Sequence, residues 1–228
     1  MKRICIVQSC YLPWMGFFDM LSRSQEYIAL DCAQYTKRDW RNRNYFKFHS
    51  GPGRLTVPVV KGARTMPIES AEIAGDEWAQ RHWKSLCQAY AKAPYFASYR
   101  GYFDPVFADP PRMLSALNRA LIAACCACLG ITTKLSASTD YGRFAGKNER
   151  LIALCNAAGA THYLSGPAAQ DYLDEAKFNA AGIEVEWMRY EYPQYRQQHG
   201  PFVARLSVLD LIFNEGPNAM AVIKGEQP

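Results

Sequence analysis

The first 31 residues constrain the fold more tightly than any other part of the chain. Residues 3–8 are rich in Ile and Val and predict a strand. Residues 9–14 predict a loop, because Pro13 blocks a helix ahead of it, and 16–24 predict a short helix. Residues 27–31 predict a second strand. Two strands joined by one short helix must run parallel with a right-handed crossover. A parallel pair in turn calls for helices on both faces of its sheet.

The rest of the chain agrees with that start. Residues 44–48 and 54–60 flank the turn-forming run Ser50-Gly51-Pro52-Gly53, which predicts a β-hairpin. A helix is expected from an N-cap at Asp76 to about residue 92, with Ala79, Trp83, Leu86 and Tyr90 as its apolar stripe. Pro94, Pro105, Pro110 and Pro111 punctuate a second helical stretch, and residues 113–129 predict a long helix stopped by Gly130. Strands at 133–137, 162–165 and 183–190 then alternate with helices at 148–158 and 177–181, each helix stopped by a glycine. Residues 206–214 carry helical apolar spacing and predict a docking helix, with Asp210 or Asn214 able to face a cleft. The expected fold is one α/β domain over 1–228: a mostly parallel, Rossmann-like sheet flanked by helices, with a hairpin insertion and a helical, cap-like segment at about 76–130.

Composition narrows the class. Of 228 residues, 49% are hydrophobic and 21% charged, which excludes a disordered chain and a coiled coil. No apolar run reaches the ~18 residues of a membrane span, and the start turns polar at Gln8, too soon for a secretory signal. A cytoplasmic protein with reduced thiols is therefore expected, despite eight cysteines. A net charge of +5 suits anionic small molecules or an acidic partner.

In open α/β sheets ligands sit at the carboxyl ends of strands. The first strand ends at Gln8-Ser9-Cys10-Tyr11, with Trp14 following, and the second at Asp31, so Cys10 and Asp31 are expected to be neighbours with Gln8 beside them. Cys10 is the candidate nucleophile, lying in a polar loop, whereas Cys5, Cys87, Cys125, Cys126, Cys128 and Cys155 lie inside strands or helices. A thiol nucleophile needs a base. Among four histidines, His82 lies on the inward stripe of its helix and is the candidate, with Asp31 orienting the ring. No Cys and His set has zinc-ligand spacing, and neither a metal nor a cofactor is expected.

The densest polar run is 34–44, where Lys37, Arg38, Trp40, Asn42, Arg43 and Asn44 interleave cations, amides and an aromatic ring. It is read as a grip on a carboxylate, phosphate or amide, or as a solvated loop; single-stranded nucleic acid is a weaker reading. Ser165 and Gly166, where a strand passes into a helix, form a second candidate anion site.

Several stretches resemble the WbqC-like protein family. They are Gln8 through Asp19, Asp31 with Gln34 through Asn44, Trp78 with Arg81-His82-Trp83, Ala93-Pro94-Tyr95-Phe96, Tyr163-Leu164-Ser165-Gly166, and Leu206 through Asp210 with Asn214. This resemblance implies a role in bacterial O-antigen or other biosynthesis, with transfer of glycine or another aminoacyl group. The family commonly has two aspartates where this chain has Asp31-Cys32. The opening strand, Pro13-x-x-Gly16 loop and helix also resemble α/β nucleotidyltransferases, but the histidines of their signature are missing at Trp14-Met15-Gly16-Phe17. The expected function is acyl or aminoacyl transfer from a thioester or activated carboxyl, free or tethered to a carrier protein. The alternatives are a thioesterase using the same site and a binding module for a sugar nucleotide or carrier protein.

Overall fold

Alternate residues of the opening strand belong to two different cores. In the computed structural model, which describes residues 1–226, strand β1 (Arg3–Val7) sends Ile4 and Ile6 to one side and Cys5 to the other. Helix α1 (Met15–Ser22) and strand β2 (Glu26–Ala29) complete the first crossover unit. A hairpin of β3 (Arg43–Phe48) and β4 (Gly51–Thr56) follows. The helical middle comprises α2 (Glu77–Tyr90), the short α3 (Phe96–Tyr99) and α4 (Asp104–Ala108), and α5 (Leu114–Leu129). The second half runs β5 (Lys134–Ala137), α6 (Asn148–Ala157), β6 (His162–Ser165), α7 (Glu175–Ala180) and β7 (Glu184–Trp187). Helices α8 (Val208–Glu215) and α9 (Ala219–Ile223) close it.

The main sheet has the order β5-β2-β1-β6-β7, and each of its pairings is parallel. Both faces are covered, as a parallel sheet requires. Ile4, Ile6, Ile28 and Tyr163 pack with Leu151 and Leu154 of α6 and Phe178 of α7. Cys5, Tyr27, Ala29 and Leu164 face a larger core built from α1, α2, α5 and α8. The middle helices therefore share one core with the sheet. The chain winds outward from β1 through β2 to β5, then returns to β1's other side with β6. That reversal makes the gap between β1 and β6 a topological switch point, where open α/β sheets bind ligands.

The opposite end of the sheet is pinned by charge. Glu26, fully buried at the start of β2, accepts from Lys2 at 2.8 Å, Lys134 at 3.0 Å and Ser136 at 2.6 Å, and also from Tyr141. Burial alone would raise its pKa, but these four donors outweigh it and hold the carboxyl down at about 2.

Three expectations need correction. The hairpin turns at His49-Ser50, not across 50–53: Phe48 pairs with Gly51, and Gly51-Pro52-Gly53 belong to β4. Two-residue hairpin turns match strand twist best. Gly53 is needed in the strand because a Cβ there would lie 2.5 Å from the Phe46 ring. Asp76 precedes α2 but makes no side-chain cap bond. The last strand stops at Trp187, because Tyr190 and Tyr192 leave the sheet to pack on Trp14 at ring separations of 5.4 and 5.3 Å.

Candidate functional site

A crevice of about 220 Å³ opens at the carboxyl ends of β1 and β6. Gln8, Arg41, Tyr163, Ser165 and Gly166 line it. Gln8 is the first residue past β1 and Ser165 the last of the adjacent β6, while Arg41 comes from the loop before the hairpin. Its guanidinium Nη1 donates to the Gln8 carbonyl at 3.1 Å and lies 2.8 Å from Cys10 Sγ. Its Nε is buried without a hydrogen-bond partner, and the nearest carboxylate oxygen, on Asp39, is 3.7 Å away. Ser165 is buried and donates to the Tyr163 hydroxyl at 3.4 Å. The helix anticipated after Ser165 is a three-residue turn, Pro167–Ala169, which opens on a proline with no N–H. The positive charge in this crevice is therefore the side chain of Arg41.

Behind Arg41 lies a buried polar cluster. Asp31 accepts from the Ser9 backbone N–H at 2.9 Å. Burial raises the Asp31 pKa, opposed by hydrogen bonds from Ser9 and Ser115 and by the charge of Arg119. Asn118 of α5 donates to Ser9 Oγ at 3.2 Å and to the Arg41 carbonyl at 2.9 Å, tying the helix to both loops. Cys10 joins this cluster close enough to Asp31 to feel its charge, so the expected nearness of the two strand tips is present. Burial pushes the Cys10 thiol up to about 11; Arg41 pulls it down, while Asp39 and Asp31 add to the rise.

His82 meets Cys10's neighbour instead of Cys10. Its Nδ1 is 2.9 Å from the Tyr11 hydroxyl, and the ring also bonds the Thr56 backbone. Burial, aided by Arg81, lowers its pKa to about 4, so the ring is neutral at pH 7. Among the described residues the thiol's partners are Arg41 and the Gln8 carbonyl, and the imidazole is not one of them. The anticipated Cys10, His82 and Asp31 set is thus split: the first and third share a cluster, and His82 braces Tyr11.

The remaining candidates separate by task. Tyr11 is fully buried against Trp78 and His82. Trp14 packs on the 190–192 segment, as above. Asn44 donates to the Leu12 carbonyl at 2.5 Å and holds the loop where Leu12 takes a φ of +46°. Trp40 is exposed beside Tyr45, and its carbonyl accepts from Tyr11 N–H. Lys37, Arg38, Asn42 and Arg43 line a separate pocket of about 340 Å³. Asp210 is sealed in the core, accepting from Tyr90 at 2.8 Å and Tyr195 at 2.9 Å, so it faces no cleft. Among the described residues all eight cysteines are free, and no group of His, Cys, Asp and Glu is arranged to hold a metal.

Two residues of the site were not among the candidates. Arg41 stands in the polar run 34–44 but differs in nothing from its basic neighbours at sequence level. Asn118 did carry a signal: it falls on the apolar stripe Leu114, Leu117, Leu121, Ile122, Cys125, where a buried amide must find partners.

The model of the WbqC-like protein family matches residues 8–222, taking in both strand tips, the Arg41 loop and α8. The chain belongs to this family. It is also 45% identical over 222 residues, 96% of each chain, to the uncharacterized protein Rv1507c of Mycobacterium tuberculosis. No solved structure matches. No helix of the described residues is long and apolar enough to cross a membrane.

Proposed function

We propose that this WbqC-like protein transfers a small acyl or aminoacyl group from an activated donor bound in the crevice between β1 and β6. The observation that carries the reading is the Arg41 guanidinium, mostly shielded from water, at the sheet's switch point. Its Nη1 is fixed by backbone carbonyls, and its Nε has no hydrogen-bond partner. A fixed cation in a low-dielectric site stabilises negative charge as it builds on a carbonyl oxygen under attack. In this mechanism an acceptor amine or hydroxyl attacks the bound carbonyl carbon. The carbon–sulfur or carbon–oxygen bond to the leaving group then breaks, and the acceptor's proton passes to solvent. The crevice's ~220 Å³ suits a group as small as glycyl.

A covalent route through Cys10 is the second reading, favoured by the 2.8 Å contact between its sulfur and Arg41, which would stabilise a thiolate once formed. Against it stand a pKa near 11 and a histidine engaged elsewhere.

The test uses glycyl and acetyl thioesters of N-acetylcysteamine as donors and hydroxylamine as a surrogate acceptor, following hydroxamate formation. Arg41→Leu is expected to lower the rate by about 10² or more, the range seen when a single oxyanion donor is removed. Cys10→Ser is expected to keep most of the rate, with no acyl adduct on the wild-type protein by intact mass. An adduct mapped to Cys10 would establish the covalent route, and an unchanged rate in Arg41→Leu would end the crevice reading.

A further inference from the structure

The pocket of about 340 Å³ beside the hairpin is charged in one sense only. Lys37, Arg38, Arg43 and Lys61 line it, and no Asp or Glu does. Among the described residues none of these four side chains makes an ion pair or a hydrogen bond, and Arg43 Nε is buried without a partner. The nearest carboxylate in the loop, Asp39, is already engaged by Thr36 Oγ1 at 2.6 Å and the Trp40 N–H at 2.7 Å. Like charges gathered around a concavity repel one another, and folding alone gives no return for collecting them. Arg38 is moreover held at a φ of +65°, a conformation that disfavours a side chain and recurs where function places one.

The uncharged part of the pocket is equally specific. Val57, Pro58 and Val59 form an apolar wall with Tyr35. That wall is fixed by Asn42, which is buried, donates from Nδ2 to the Val57 carbonyl at 2.8 Å and accepts from the Val57 N–H at 2.8 Å through its own carbonyl. Asn42 Oδ1 is itself buried without a hydrogen-bond partner. Four cations exceed what one carboxylate needs and suit the two to three charges of a diphosphate. Arginine binds such groups through paired N–H donors. A concave site of this volume fits a small molecule, and the one exposed tryptophan of the loop, Trp40, is not part of its lining, as base stacking would require.

We infer that this pocket binds the diphosphate group of a small organic molecule, with Lys37, Arg38, Arg43 and Lys61 on the phosphates and the Val57–Val59 wall against the organic portion. It shares no lining residue with the crevice, and the inference stands whether or not the crevice transfers an acyl group.

Calorimetric titration of the full chain with inorganic pyrophosphate, ADP and coenzyme A tests it. Wild type is expected to bind ADP or coenzyme A more tightly than pyrophosphate, which lacks the organic portion. The double variant Arg43→Gln, Lys61→Gln should weaken binding roughly tenfold or more, and raising salt should weaken the wild type in the same direction. Both substituted side chains lack bonds within the fold, and an unchanged melting temperature checks that the variant is folded. Arg41→Leu should leave diphosphate binding unchanged. Three results would overturn the inference: no binding of any of the three probes up to about 10 mM, loss of binding in Arg41→Leu but not in the double variant, or binding of a twelve-nucleotide single strand more tightly than of ADP.

Discussion

Cys10 is predicted to be a poor nucleophile in the resting protein, although it is the cysteine best placed in sequence to be one. Burial raises its pKa from an ordinary 9.0 to about 11, even with the Arg41 guanidinium 2.8 Å from the sulfur. Two pH units are a factor of about 100 in thiolate, and at pH 8 about one molecule in 10³ carries the reactive anion. Alkylation tracks the thiolate fraction, so Cys10 should react with iodoacetamide at least about 100-fold more slowly than a free small-molecule thiol. The measurement is a pH–rate profile from pH 6 to 11 for the Cys10 peptide, read by mass spectrometry, with half-buried Cys32 in the same digest as an internal reference. The Cys10 rate should still be climbing at pH 10. Arg41→Gln removes the one cation that lowers the pKa and should move the inflection higher still. An inflection below pH 8, or Cys10 labelling ahead of Cys32, would refute the reasoning and restore the thiolate mechanism.

Three other outcomes follow from the same contacts. Glu26 is held at about 2 when folded against an ordinary 4.5, so its contribution of about 3 kcal/mol is fully present above pH 4.5 and is lost as pH falls toward 2; denaturation of Glu26→Gln should lose stability at pH 7 and show a flatter acid limb, and an identical acid limb would contradict the assignment. The His82 ring should titrate near 4 by nitrogen-detected NMR, and because its folded pKa lies below 6.5 it should erode stability as pH drops from 6.5 to 4; a midpoint at or above 6.5 would contradict its burial. Asn118→Leu strips partners from Ser9 Oγ and the Arg41 carbonyl and should cost about 1–3 kcal/mol while lowering turnover through a loosened Arg41 loop, whereas a variant as stable and active as wild type would show that loop is held by other means.

Local chemistry made most of the fold legible. Gly130, Gly159 and Gly182 adopt left-handed backbone just past α5, α6 and α7, and the Ile and Val of β1 sort cleanly between two cores. The β-hairpin register was not legible, because Gly-Pro-Gly reads as a turn until Phe46 is known to lie over Gly53. At the site, the nearness of Cys10 and Asp31 followed from strand order alone. The destination of His82 did not: its helix stripe gave an inward direction, but whether it met residue 10 or residue 11 depended on how the loop after β1 turns. Arg41 could not be told from Arg38 or Arg43 in sequence, since their separation between crevice and pocket arises from the turn before β3.

The most direct test of the central claim is where a donor binds. Amide NMR of the labelled protein titrated with glycyl-N-acetylcysteamine should place the largest shifts at Gln8, Arg41, Ser165 and Gly166, and Arg41→Leu should abolish them. Shifts centred on Val57–Lys61 or around Tyr11 and His82, with Gln8 and Ser165 unmoved, would contradict it.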